Sequence, residues 1–322
     1  MLHIRTLILA TITLALYSCN RELPSTTIEE GDAVTVNVSF EECSLSRADY
    51  TDSGISGLEN IDLSGDKTIR YILQIYLVGS DEPIRKVKFS DNKSVAFDTR
   101  MVPGRSYRLV MWADIVDSAK DEDLYYDTSD LKSVKVIGAN RVMNEYRDAF
   151  TGQCTINDFR TIKSISITLI RPFAKLRIIT TDMDIIQDFG YDVNYGEITY
   201  NIDIPQSFNA YEGCVNSDDT APFTYAYTPA DYDNELDYDG TSLSGRKTIF
   251  CDYIFTDYEP SDITFDLMIR DTLRDEDIAM ISIDKGIPIA RNHLTTIVGR
   301  MLTDGHIEGL YTPITPEGGD EF

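Results

Sequence analysis

Few side chains of this 322-residue chain are placed for chemistry, and Cys19 leads them. Arg5 gives the start a positive charge, and Thr6 to Leu16 form an apolar stretch too short to cross a bilayer as a helix. Leu16-Tyr17-Ser18-Cys19 follows, with an aliphatic residue three places before the cysteine and a small one directly before it. That is the pattern of a lipobox. Residues 1–18 are therefore the expected signal peptide, cut before Cys19, whose thiol and new amino group would carry acyl chains such as palmitate. Lipid, not a membrane span, would then hold the chain to a membrane. The alternative is an ordinary signal peptide that happens to end beside a cysteine.

The other reactive residue types form no catalytic pattern. Cys43, Cys154, Cys214 and Cys251 are widely and irregularly spaced, with no Cys-x-x-Cys pair, so neither a zinc knuckle nor a thioredoxin-type site is expected. Disulfides and buried free thiols both stay open. His3 leaves with the signal, His293 lies in a strand pattern where a packed or edge histidine is expected, and His306 stands beyond the last strand. Gly-x-Ser-x-Gly, His-Glu-x-x-His and Gly-x-x-x-x-Gly-Lys are all missing, and Gly240 to Gly245 lacks the strand-to-helix setting of a nucleophile elbow. Aspartates are so numerous that no pair can be singled out for glycoside hydrolysis. Asp231 to Gly240 is rich in oxygen ligands. Counting Glu235, Asp237, Asp239 and Gly240 as loop positions 1, 3, 5 and 6 puts Arg246 where an EF-hand needs Glu. No enzyme, metal or cofactor is expected.

Composition narrows the partners. Lys and Arg total 29 against 54 Asp and Glu, a net charge of −25, which disfavours nucleic acid and anionic lipid surfaces. Nineteen tyrosines, with Ile, Val and Thr in short alternating runs, point to β-sheet and extracellular surfaces.

The elements that must carry these residues are mostly strands. Ala33 to Phe40 alternates cleanly, with Val34, Val36, Val38 and Phe40 on one face and Thr35, Asn37 and Ser39 on the other. In Arg105 to Asp114, Tyr107, Leu109, Met111 and Ala113 share one face and Val110 and Trp112 the other. Asn140 is read as the cap of a short helix carrying Met143, Tyr146 and Phe150, and a second helix is expected from a cap at Asp182 to a stop at Gly190. Many short strands with scraps of helix imply an all-β fold of two tandem sandwiches. The expected division is a lipidated Cys and tether over 19–32, an N-terminal sandwich over 33–160, a C-terminal sandwich over 161–303 and a mobile acidic tail over 304–322.

Four segments carry a resemblance. Leu169-Ile170-Arg171-Pro172-Phe173-Ala174-Lys175-Leu176 resembles the opening of the second domain of fimbrillin-type proteins of Bacteroidales, and Ile287 to Gly299 resembles their closing strand. Tyr107 to Asp114 and Arg147 to Gly152 are similar to first-domain segments of the same lipoproteins. The resemblance implies two transthyretin-like β-sandwiches and a fimbrium-associated role at the cell outer membrane, as subunit, anchor or accessory component in surface adhesion. It also implies cleavage after an Arg early in the first domain, here Arg47, releasing the strand of Val34, Val36, Val38 and Phe40 so that another fimbrial subunit can add a strand. An exposed loop Arg that any trypsin would cut is the plainer account of Arg47. Thr303 to Phe322 offers little apolar alternation to donate, which favours an anchor or accessory role over a stalk. Asn20-Arg21-Glu22 leaves the membrane face open. The rival reading is a glycan-binding lipoprotein, with Trp112 and Tyr125, Tyr126, Tyr225, Tyr227, Tyr232 and Tyr238 as its platform.

Overall fold

The computed structural model describes residues 31–41, 63, 66–117, 119–138, 141–229 and 246–311. Cys19, Cys43, Arg47, the Asn140 cap and the acidic run 231–240 lie outside the described residues, as do Tyr232 and Tyr238.

The protein is all-β. Its first nine strands are β1 (Asp32–Phe40), β2 (Lys67–Leu77), β3 (Ile84–Phe89), β4 (Ser94–Met101), β5 (Tyr107–Asp117), β6 (Tyr126–Asp127), β7 (Val134–Val136), β8 (Ala149–Ile156) and β9 (Ser164–Leu169). Two sheets, ordered β4-β1-β9 and β3-β2-β5-β8, enclose one core. The strand alternation explains why: Val34, Val36 and Val38 point in from one sheet, and Tyr71, Leu73, Leu109 and Met111 from the other. Each fully buried aliphatic side chain contributes about 1.5–3 kcal/mol. β8 and β9 close one side, where Thr151 and Ile170 exchange backbone hydrogen bonds at 2.8 and 3.0 Å. Gly152 permits that approach, because a Cβ there would lie 2.5 Å from the carbonyl oxygen of Thr168. Gly152→Ala is expected to cost about 1–3 kcal/mol by forcing the strands apart, read from the denaturant midpoint.

The remaining strands are β10 (Phe173–Thr180), β11 (Tyr195–Pro205), β12 (Ser207–Asn209), β13 (Cys214–Val215), β14 (Thr220–Tyr227), β15 (Lys247–Phe255), β16 (Ser261–Asp271), β17 (Glu276–Ile289), β18 (Leu294–Arg300) and β19 (His306–Tyr311). Sheets β15-β10-β18-β19 and β14-β11-β16-β17 enclose a second core built on Leu176, Ile178, Ile198, Phe250, Phe265 and Leu267. A small sheet, β13-β12-β7-β6, takes strands from both halves of the chain. Under it, Val110 and Trp112 from the outer face of β5 pack in one apolar cluster with Phe173, Phe208, Tyr253 and Phe255. β5 is thus buried on both faces, as its two apolar sets required.

Three expectations change. β9 pairs in parallel with β1, Val36 opposite Ile165 and Val38 opposite Ile167, so 161–169 joins the first sandwich and the passage to the second lies at Ile170–Pro172. Over the described part of the expected 140–150 helix there is only a 3-10 turn, Glu145–Arg147, capped by the Asn144 side chain, and Phe150 belongs to β8. The start of the expected tail is a strand: β19 pairs with β18 from Arg300–His306 to Thr296–Tyr311. The single α-helix among the described residues, α1 (Met183–Asp188), stands where expected and stops at Gly190 with φ +78°. Asp182 does not cap it with its side chain. That carboxylate accepts instead from the backbone N–H groups of Leu302 and Thr303 at 3.2 and 2.8 Å, tying the helix to the end of β18.

Candidate functional site

β1 is the central strand of a three-stranded sheet, antiparallel to β4 and parallel to β9. Val34, Val36 and Val38 are 2%, 0% and 2% exposed, so its inner face is sealed by the opposing sheet. Phe40 ends the row edge-on to Phe150, ring centroids 4.4 Å apart, and 5.9 Å from Tyr71. The outer face holds only polar contacts, Thr35 Oγ1 donating to Asp98 Oδ1 at 3.2 Å and Asn37 Nδ2 to Ser164 Oγ at 2.7 Å. Removing this strand would leave a slot with hydrogen-bonding groups on both walls and an apolar floor. Val34, Val36, Val38 and Phe40, predicted to share one face, do so.

The other edge of that sheet is closed differently. Lys86 Nζ donates to the carbonyl of Asp98 at 2.7 Å, and Lys88 Nζ donates to that of Ala96 while standing 5.4 Å from the Phe97 ring centre. Two lysines of β3 thus occupy acceptors that a further strand on β4 would need.

The four segments that carry the family resemblance meet at the joint between the sandwiches, which reading them as separate landmarks had not revealed. Arg171 Nε and Nη2 each donate to one oxygen of Asp148 at 2.7 Å, with the guanidinium 4.6 Å above the Phe150 ring. Arg291 Nε donates to the Arg171 carbonyl at 2.9 Å, its Nη1 to the Gly213 carbonyl at 2.7 Å, and it lies between the rings of Phe208 and Tyr258. Lys175 bridges both oxygens of Glu145 at 2.5 and 2.6 Å, and Tyr253 donates to the same carboxylate. Arg147 donates to Asp252 Oδ1 at 3.0 Å, and Tyr200 donates to Asp252 Oδ2 at 3.0 Å. Burial drives the phenols of Tyr126, Tyr200 and Tyr253 upward, so they stay protonated donors. Asn292 reaches back to Glu41, one residue past β1, at 3.3 Å.

The remaining candidates are dispersed. Trp112 and Tyr126 are fully buried, packed edge-on at 5.4 Å, and Tyr227 is buried too. Tyr125 and Tyr225 are half-buried. These five candidates therefore do not make an exposed platform, because burial in the joint and core outcompetes display. Cys154, Cys214 and Cys251 carry free thiols, and burial pushes Cys251 up to about 12, which makes it inert. His293 is half-buried just ahead of β18, its Nδ1 2.7 Å from the Arg291 carbonyl, and His306 opens β19. No cluster of metal-ligating side chains occurs among the described residues, and none of their helices is long and apolar enough to cross a membrane.

Against known proteins, the model of a family described as "Family of unknown function (DUF6562)" matches residues 26–312. None of the curated proteins matches the chain. Among solved structures, it is similar to a candidate cell adhesion protein of Bacteroides ovatus, at 9% identity and TM-score 0.44, covering 89% of this chain and 100% of that one. A candidate polysaccharide binding protein of Bacteroides thetaiotaomicron matches at 13% identity and TM-score 0.42, over 89% and 100% of the two chains. A fimbrial assembly protein of Parabacteroides distasonis matches at 7% identity and TM-score 0.40, over 86% and 94%.

Proposed function

We propose, for a chain that belongs to this family of unknown function (DUF6562), a structural role: a fimbrium-associated lipoprotein of the cell outer membrane that assembles by strand exchange and serves surface adhesion. One observation carries the reading. β1 is central and apolar on one face only, so it is the strand whose departure would leave a ready template for another. Arg47, seven residues after Phe40, is the cut that would release it, and Cys19 the anchor lost with it. An incoming strand with apolar residues at alternate positions would take the places of Val34, Val36 and Val38, while its main chain bonds to β4 and β9. Those alternate apolar side chains would set the register. β19 supports an anchor or accessory role over a stalk, because it already has a place on the edge of β18.

The test is limited trypsin digestion of the soluble form, followed by mass spectrometry and size exclusion. Cleavage after Arg47, loss of the fragment holding β1 and formation of ladders are the expected results. Resistance at Arg47, or a cut product that stays monomeric under conditions permitting exchange, would sink polymerisation.

A further inference from the structure

The strand-exchange reading leaves unused a pair of buried cations at the mouth of the second sandwich. Arg141 is 7% exposed and Arg147 is 1% exposed, and they touch: Arg147 Nη1 donates to the Arg141 carbonyl. One buried carboxylate, Asp252, serves both, and its oxygens are already taken by Arg147, by the Tyr253 backbone N–H and by the Tyr200 hydroxyl. Arg141 has no carboxylate of its own among the described residues. Its Nη1 donates to a neutral amide oxygen, Gln206 Oε1, at 2.9 Å, and its guanidinium lies 3.8 Å over the Phe223 ring. Its Nε has no partner. Burial lowers the Arg141 pKa, with Asp252 only partly opposing it.

An uncompensated buried guanidinium is costly, and a donor left unmade adds to that cost. The surroundings suit a negative group. The Tyr225 hydroxyl accepts from the Arg141 backbone N–H at 3.2 Å and keeps its own proton to donate. Met143, Gln206, Phe223 and Tyr225 are each half-buried, so the guanidinium lies one layer beneath the surface. We propose that Arg141, with Tyr225, forms an anion site that takes a single carboxylate or sulfate group of a small ligand, in competition with the Gln206 amide oxygen for the guanidinium. The anion would accept from Arg141 Nε, neutralise the excess charge beside Asp252 and sit against the edge of Phe223. The chemistry is shared by free inorganic anions, simple carboxylates and acidic sugars.

The experiment is thermal unfolding of the whole soluble chain and of Arg141→Met in sodium sulfate, acetate or glucuronate, with ionic strength held constant by sodium chloride. The expected result is a saturating rise in Tm, roughly 3–6 °C at ten times Kd, absent from Arg141→Met. The anion giving half-saturation at the lowest concentration identifies the source. A rise that does not saturate, or that is the same in Arg141→Met, is a general salt effect and overturns the proposal. Should Arg141→Met fail to fold, Gln206→Leu decides. It frees Nη1 from its neutral acceptor, so half-saturation should move to lower anion concentration. No anion dependence in that variant would equally overturn the site.

Discussion

Val36→Asp is expected to destabilise the first sandwich by roughly 3–5 kcal/mol, the largest effect of any single change in β1. Val36 is 0% exposed, between Phe97 of β4 and Ile165 of β9, in an apolar cluster. The new carboxyl would be buried either charged and unpaired or protonated at the expense of a raised pKa. The sign of the pH dependence follows. With the folded pKa above the unfolded one, the variant approaches the parent as pH falls below the ordinary carboxylate range, and the deficit is full at neutral pH. Denaturant unfolding followed by the fluorescence of Trp112, the sole tryptophan, measures both. Asn37→Asp, one residue away on the exposed outer face, should stay within about 0.5 kcal/mol. A loss below about 1 kcal/mol for Val36→Asp would mean that β1 is not held in its slot.

Asp148→Ala is expected to cost about 3–5 kcal/mol, because it strands Arg171 without its bidentate partner in a dry joint. The Arg171 side chain is 4% exposed and that of Asp148 0%. Replacing both members with apolar residues, Arg171→Met with Asp148→Leu, should recover most of the loss, since a well-packed apolar pair avoids the desolvation of two ions. Measuring the two single variants and the double variant by denaturant midpoint separates the pair's coupling from its packing. If Asp148→Ala were near neutral, water would have to reach Arg171, and the joint would not be dry.

Much of the architecture was legible. The period-2 run of β1, the two apolar faces of β5 and the α1 stop at Gly190 all follow from side-chain spacing. The strand that misled was β9, because alternation reveals which face is buried and not which sheet the strand joins. Its partner β1 lies more than a hundred residues earlier, and a parallel pairing leaves no turn to mark it. β19 escaped notice because six residues, with a glycine at 309, bury too little to stand out from a polar tail. The expected 140–150 helix failed for another reason. Phe150 and Ala149 are recruited by the sheet, and one 3-10 turn is all that is left. At the candidate site, the apolar positions of β1 were readable and the joint was not. Arg147, Asp148, Arg171 and Arg291 look like surface charge in sequence, and only their pairing across the fold lets them be buried.

The parallel contact between β1 and β9 has a kinetic consequence. Thr35 faces Ser164, so the strand made first pairs with one made about 130 residues later, and the loop between them must close before either is satisfied. Every contact holding the opposing sheet, β3-β2-β5-β8, lies within the intervening stretch and can form earlier. A chain emerging N-terminus first can therefore build the floor before β9, one of the two walls, has been made. During that interval β1 has β4 alone to pair with, and its place in the sheet is half made.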